Sequence, residues 1–210
     1  MKKKCVLLAL CILVLTGVSV AHAAVYNFIP KPADMGDLEH TYYFSWNIYA
    51  SGLRGADVTS AQLTFSNIWD WTVEPDMLYV HLLDVPQTSG QLVRFNSYPT
   101  YWSTLYRFND NELTSGDDWA GNPLLGTWTD PMGGQATNFN LVIDFDENQL
   151  QALENSVADG NFAIGVDPDC HYYNSGVTLT VTTAPVPEPA TMSLLGMGVL
   201  GLLGLKRRKA

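Results

Sequence analysis

The sequence predicts an all-β protein, an antiparallel β-sandwich of jelly-roll type with about eight short strands and one short helix. Three observations support this fold class. Short segments alternate apolar and polar residues with a period of two, Gly and Pro residues separate them, and no strand alternates with long helices as in a parallel sheet. The clearest strand is 139–145, where every second residue is large and apolar. A signal helix and a transmembrane helix are expected to flank the sandwich.

The predicted strands lie between residues 41 and 181. Their ranges are 41–49, 61–65, 77–83, 92–95, 101–108, 139–145, 162–166 and 177–181. Residues 25–40 carry Pro and Gly without a sustained period, which predicts a loop or a short edge strand. Residues 109–134 also lack a period, and a loop of this length is often functional. This segment is therefore a candidate site region.

The one predicted helix follows residue 145. Asp146 is a suitable N-cap, and Gln149 three residues later completes the pattern of a capping box. Apolar residues at helical spacing follow, and Gly160 is the expected end.

The N-terminus has the pattern of a secretory signal peptide over residues 1–23. A basic segment at 2–4 precedes an apolar run, and Ala21 and Ala23 form a small-x-small cleavage site. Cleavage would leave Ala24 as the first residue. The pattern predicts handling by the Sec translocon and signal peptidase.

The C-terminal segment, 186–210, combines a short motif, an apolar run and a basic tail. The motif consists of Val186, Pro187, Glu188 and Pro189. The apolar run at 190–205 would reach about 24 Å as a helix, which is short for a hydrocarbon core of about 30 Å. The basic tail consists of Lys206, Arg207, Arg208 and Lys209. Such a tail favours the cytoplasmic side, so the preceding domain is expected to lie outside the inner membrane.

These three parts, in this order, resemble the PEP-CTERM sorting signal of Gram-negative bacteria. In that family a membrane protease-transpeptidase, exosortase, is thought to recognise Pro-Glu-Pro and remove the helix. The resemblance implies transient residence in the inner membrane, followed by the cell surface or extracellular matrix. It also implies an association with exopolysaccharide and biofilm. An ordinary tail anchor behind a proline-containing linker is the alternative.

Residues 24–185 form one predicted domain with an acidic composition. This segment has four basic and 20 acidic residues, a net charge of −16. Such a charge repels phosphate backbones and excludes nucleic acid as a partner. Cys170 is the one cysteine of this segment, so no disulfide can form within it.

Aromatic residues suggest a glycan-binding surface. The predicted platform residues are Trp69, Trp71, Trp119 and Trp128. Trp69 and Trp71 would face the same way in a strand, and Trp119 and Trp128 lie in the predicted loop. Tyr101 and Trp102 are further candidates, although aromatic residues of a sandwich are more often part of its core.

Acidic residues suggest a structural Ca²⁺ site. The predicted ligands are Asp144, Asp146, Asp167 and Asp169. In each pair the carboxylates are two residues apart, which places them on one side of an extended segment. His171 would suit a transition metal together with the second pair. A solvated turn explains the same residues equally well.

No catalytic residue is predicted. Cys170 and His171 are adjacent, and neighbours on an extended chain point to opposite sides. His81 is expected on a solvated face. We therefore expect a non-enzymatic protein of the cell surface or matrix, either structural or glycan-binding. The alternatives are an exported glycan-active enzyme using paired loop carboxylates and an inert matrix filler.

Overall fold

The computed structural model describes residues 23–70, 76–110, 116–130 and 139–185. Of these, Ala24–Ala184 form a compact unit. The predicted signal helix and sorting segment lie outside the described residues. Within the described ranges, no helix has the length and apolar character needed to cross a membrane.

The described residues form ten strands, one α-helix and a short 3-10 helix, Ser51–Leu53. The strands are β1 (Val25–Phe28), β2 (Tyr42–Tyr49), β3 (Val58–Ser66), β4 (Leu78–Leu83), β5 (Gln91–Ser97), β6 (Trp102–Asn109), β7 (Leu124–Trp128), β8 (Asn140–Asp144), β9 (Asn161–Pro168) and β10 (Gly176–Thr183). Helix α1 (Glu147–Ser156) connects β8 to β9. All strand pairs are antiparallel.

The two sheets have the strand order of a jelly roll with one added hairpin. The smaller sheet has the order β1-β10-β3-β8, and the larger has the order β5-β6-β2-β9-β4-β7. Without β5 and β6, the second sheet reads β2-β9-β4-β7, and the eight remaining strands form the two Greek keys of a jelly roll. The β5–β6 hairpin extends the larger sheet beyond β2.

The inner faces of the two sheets form the main core. On β2, Phe44, Trp46 and Ile48 point inward and are nearly fully buried. Strand β10 presents Val177, Leu179 and Val181 to the same core. The two-residue period fixes this division, because successive side chains point to opposite faces of a strand.

Helix α1 begins as the sequence predicts. The Asp146 side chain accepts a hydrogen bond from the Gln149 backbone N–H, and the Gln149 side chain accepts one from the Asp146 N–H. This capping box satisfies two backbone donors that the first turn leaves free. Gly160 follows with a φ of +82°, in the left-handed region that favours glycine.

The predicted fold class and the eight predicted strands are confirmed, and two strands are added. The first is β1, which lies at the edge of the smaller sheet and matches the edge-strand alternative predicted for residues 25–40. The second is β7, inside the predicted 109–134 loop. Gly126 lies within β7, where a side chain would approach Ile143 of the opposite sheet at 3.2 Å. Glycine here permits close packing of the two sheets, so the prediction of a continuous loop over residues 109–134 was wrong for this part.

Gly165 provides a test of how the outer face of the larger sheet is covered. A Cβ at this position would lie 2.8 Å from Cδ1 of Trp119. We expect Gly165→Ala to lower the free energy of unfolding by about 1–3 kcal/mol through overpacking. Urea unfolding of the full chain in detergent measures the change. The matched control is Gly176→Ala, whose added methyl would approach Ala33 no closer than 3.9 Å. Equal losses of stability in the two variants would contradict the close contact between Gly165 and Trp119.

Candidate functional site

A groove lies where four strands of the larger sheet begin or end. Ser97 ends β5, Trp102 begins β6, Tyr49 ends β2 and Asn161 begins β9. Because neighbouring strands are antiparallel, these four positions share one end of the sheet. The groove has a volume of about 280 Å³. Its further lining residues are Ser51, Arg54, Tyr98, Pro99, Thr100, Tyr101 and Asp159.

An aromatic stack occupies one side of the groove. Tyr49 and Trp102 are cross-strand partners, and their rings are nearly parallel with centroids 3.4 Å apart. Tyr49 points outward because Trp46 and Ile48 of the same strand point into the core. Trp102 keeps 41% of its surface exposed, and the centroid of the Phe95 ring lies 6.0 Å from that of Trp102. The groove therefore offers an accessible indole ring held by a second ring.

Polar groups with fixed positions form the other side. The Arg54 guanidinium donates two hydrogen bonds, of 3.1 and 2.9 Å, to the backbone carbonyl of Asp159. The Asp159 carboxylate accepts a 2.8 Å hydrogen bond from the Asn161 backbone N–H. These contacts hold the Arg54 guanidinium and the Asp159 carboxylate at the groove, next to the backbone of Asn161.

Two tyrosines anchor the loop that borders the groove. Tyr98 and Tyr101 stack with ring centroids 4.3 Å apart, and both hydroxyls donate to the Ile29 carbonyl, at 2.6 and 3.0 Å. Burial raises the pKa of Tyr101 to about 12, so its hydroxyl stays protonated at neutral pH. Tyr101, a candidate platform residue, is instead part of the supporting core.

The four tryptophans predicted as platforms lie in different surroundings. Trp119 is 8% exposed, and its indole N–H donates to the Phe44 carbonyl at 3.1 Å, so the predicted exposed ring is wrong for this residue. Trp128 is half-buried and packs edge-on against Tyr172. Trp69 stacks on Tyr173 at 4.5 Å and stays partly exposed. Trp71 lies outside the described residues, so the pairing of Trp69 with it stays a prediction.

A cluster of acids lies near Trp119 on the larger sheet. Carboxylate oxygens of Asp110, Asp118 and Asp167 lie within 4.8 Å of one another. Asp167 is 1% exposed and accepts a 2.6 Å hydrogen bond from the Asp118 N–H. Burial, with a further contribution from the neighbouring acids, raises the pKa of Asp167 to about 7.

His81 lies beside this cluster. The prediction of a solvated His81 was wrong, because its side chain is 2% exposed and its Nε2 lies 2.9 Å from a carboxylate oxygen of Asp117. Its other ring nitrogen lies 3.1 Å from the Asn122 carbonyl. The loop of residues 116–122 covers the face that the alternation of β4 leaves outward.

The four predicted Ca²⁺ ligands do not meet in one cluster of the described residues. Asp144 accepts a hydrogen bond from Gln62, and Asp146 caps α1. Asp167 joins Asp110 and Asp118. Burial raises the pKa of Asp169, and Asp76 contributes next. Asp169 belongs to neither of the two clusters of potential metal ligands found among the described residues.

Sequence reasoning missed Tyr49, Asn161 and Ser97 as groove residues, and considered Trp102 without assigning it. The missing information was strand pairing, since Tyr49 and Trp102 are over 50 positions apart and meet only through register. One local signal was present, because Tyr49 has the outward phase of a strand whose other phase is apolar.

The raised pKa of Asp167 predicts a pH dependence of stability. The folded state holds its proton up to about pH 7, whereas an ordinary carboxyl releases it near 3.8. The folded state therefore binds more protons in this window, and stability falls as pH rises from about 4 to 7. We expect Asp167→Asn to reduce this fall. Urea unfolding at several pH values with a chelator present measures it.

The matched control for this experiment is Asp84→Asn, which changes an exposed carboxyl. It should keep the wild-type dependence on pH. An Asp167→Asn variant whose stability falls as steeply as that of the wild type would contradict the assignment.

Comparison with known proteins bears on the C-terminal segment. Residues 185–209 match the family model of the PEP-CTERM protein-sorting motif. No curated protein matches the chain, and no solved structure does. The chain therefore carries a PEP-CTERM sorting motif at its C-terminal end, and this motif indicates export with processing at the membrane by exosortase.

Proposed function

We propose that this exported protein binds a neutral glycan in the groove between Tyr49, Trp102 and Asn161. In this proposal it serves as a structural component of the cell surface or extracellular matrix of a Gram-negative bacterium. The observation that supports the proposal most directly is the exposed Trp102 ring, which is stacked on Tyr49 in a groove that Arg54, Asp159 and Asn161 also line. Exopolysaccharide, and hence a biofilm matrix, is the expected source of the glycan.

The two sides of the groove match the two surfaces of a sugar ring. The C–H face of a hexose is apolar and packs well on an indole ring, whereas its hydroxyls need hydrogen-bond partners when they lose water. Trp102 supplies the first surface. Arg54 and Asn161 line the polar side. The Arg54 guanidinium donates to the Asp159 carbonyl, and the Asn161 backbone N–H donates to the Asp159 carboxylate.

The charge of the domain favours a neutral glycan. Residues 24–185 carry a net charge of −16, which repels an anionic polymer. Arg54 is the one cation among the lining residues of the groove. A neutral hexose polymer meets no such repulsion.

We propose binding without hydrolysis. A glycosidase needs two carboxyl groups that reach the scissile bond. Asp167 has the raised pKa expected of a general acid, but it is 1% exposed and a polymer cannot contact it. In the groove, the Asp159 carboxylate already accepts a hydrogen bond from the Asn161 backbone N–H. Release of reducing ends from a bound polysaccharide would instead favour the alternative of a glycan-active enzyme.

Trp102→Ala tests the groove directly. We expect glycan affinity to fall by about thirtyfold, near 2 kcal/mol, because the variant removes the ring that the sugar contacts. The full chain in detergent is first screened on an array of neutral hexose oligosaccharides and on the host's extracellular polysaccharide. Calorimetry then gives the Kd of the best ligand.

Two variants complete this experiment. Leu124→Ala removes an exposed apolar side chain on β7 and should leave Kd unchanged. Trp69→Ala tests the Trp69–Tyr173 stack and should also leave Kd unchanged. A loss of glycan affinity in Trp69→Ala alone would place the binding site at the Trp69–Tyr173 stack and contradict the proposal. A protein that binds no neutral glycan would also contradict it.

The sorting motif gives a separate prediction for localisation. We expect combined replacement of Pro187, Glu188 and Pro189 by Ala to keep the C-terminal segment attached and the protein in the membrane fraction. Cell fractionation with mass spectrometry of the C-terminal peptide measures this in a host with exosortase. Pro185→Ala is the control and should be processed normally. Processing of the triple variant would contradict recognition of the motif.

A further inference from the structure

A second polar cluster lies away from the groove, at the other end of the larger sheet. Carboxylate oxygens of Asp70 and Asp76 and the sulfur of Cys170 all lie within 4.8 Å of one another. Asp70 is fully buried, whereas Asp76 and Cys170 are partly exposed. The cluster therefore has one buried ligand and an open side.

Backbone pairing holds the three residues in place. Trp69, next to Asp70, forms an isolated antiparallel bridge with Tyr173. The Asp169 N–H, next to Cys170, donates a 2.9 Å hydrogen bond to the Met77 carbonyl, next to Asp76. Each member is thus the immediate neighbour of a residue fixed by backbone hydrogen bonds. The cluster is a product of the fold and not of three mobile side chains.

Tyr172 provides an independent indication of a ligand. Its side chain is fully buried, and among the described residues its hydroxyl has no hydrogen-bond partner. Cys170 packs against the core cluster to which Tyr172 belongs. Tyr172 lies two residues after Cys170, and the next residue, Tyr173, bridges Trp69, the neighbour of Asp70, so Tyr172 lies in the segment that holds the cluster. Leaving such a hydroxyl unsatisfied costs about 1–3 kcal/mol.

We propose that Asp70, Asp76 and Cys170 bind a divalent transition-metal ion of the zinc class, with the Tyr172 hydroxyl beside it. Two carboxylate oxygens and one thiolate match the ligand types of Zn²⁺, whereas the thiolate disfavours Ca²⁺ and Mg²⁺. Binding breaks the Cys170 S–H bond, forms a metal–sulfur bond and releases the proton to solvent. The ion would tie the start of β4 to the segment after β9, at the end of the sheet opposite the groove.

Co²⁺ is the probe that reports directly on Cys170. The experiment uses the full chain in detergent with Cys5 and Cys11 replaced by Ser, which leaves Cys170 as its one thiol. We expect one Co²⁺ to bind with a thiolate-to-metal charge-transfer band in the near ultraviolet. Zn²⁺ should displace it and raise Tm by mass action. A protein that binds no Co²⁺, or binds it without this band, would overturn the proposal.

Variants separate metal binding from folding. Cys170→Ser should abolish the band, and Asp76→Asn should weaken metal affinity by about tenfold or more. Tyr172→Phe should leave the metal-free protein at least as stable, since it removes a buried hydroxyl, and yet weaken metal binding. Far-ultraviolet circular dichroism checks that each variant folds.

Two controls locate the ion. Asp84→Asn removes an exposed acid, and Asp110→Asn removes a member of the other acidic cluster. Both should bind Co²⁺ as the parent does. Loss of binding in Asp110→Asn, with retention in Asp76→Asn, would place the ion at the other cluster and overturn the assignment.

Discussion

The packing of two sheet faces against each other is the interaction on which the rest of this structure depends. Phe44, Trp46 and Ile48 of β2 enter the core, so Ser45, Asn47 and Tyr49 must point to the outer face. A shift of one residue in register would exchange the two sets and expose the apolar one. The positions of the groove and of the buried polar groups therefore follow from the same alternation that forms the core.

The outer face of the larger sheet is divided along its length. At one end, the added β5–β6 hairpin brings Trp102 to Tyr49, and four of the exposed large apolar residues lie on this hairpin: Leu92, Val93, Phe95 and Trp102. In the middle, Asn47 bonds to Thr104 and to the Gln87 carbonyl, which buries the polar row under a loop. Beyond it, Trp119 lies over Gly165. The hairpin that departs from an eight-stranded jelly roll thus carries half of the exposed large apolar residues of the described chain.

The sequence predicted what depends on local pattern, and it failed where long-range contacts decide. The strands with strict alternation, the Asp146–Gln149 capping box and the jelly-roll class were confirmed. His81 and Trp119 were misjudged for one reason, because the alternation of β4 does not reveal that the loop of residues 116–122 covers its outer face. Likewise, the 109–134 segment conceals β7, whose Gly126 is needed for contact between the sheets. Of the groove, local pattern supplied the outward phase of Tyr49, whereas its partner Trp102 depends on register.

In the proposed function, one tryptophan of the outer face contacts a glycan and the buried tryptophans do not. Indole N–H signals in a two-dimensional NMR spectrum distinguish the tryptophans individually. On titration with a neutral oligosaccharide from the host's extracellular polysaccharide, we expect a saturable shift of the Trp102 signal. The signals of Trp46 and Trp119, which are 1% and 8% exposed, should stay in place. An unchanged Trp102 signal at saturating oligosaccharide would rule out glycan binding at this ring.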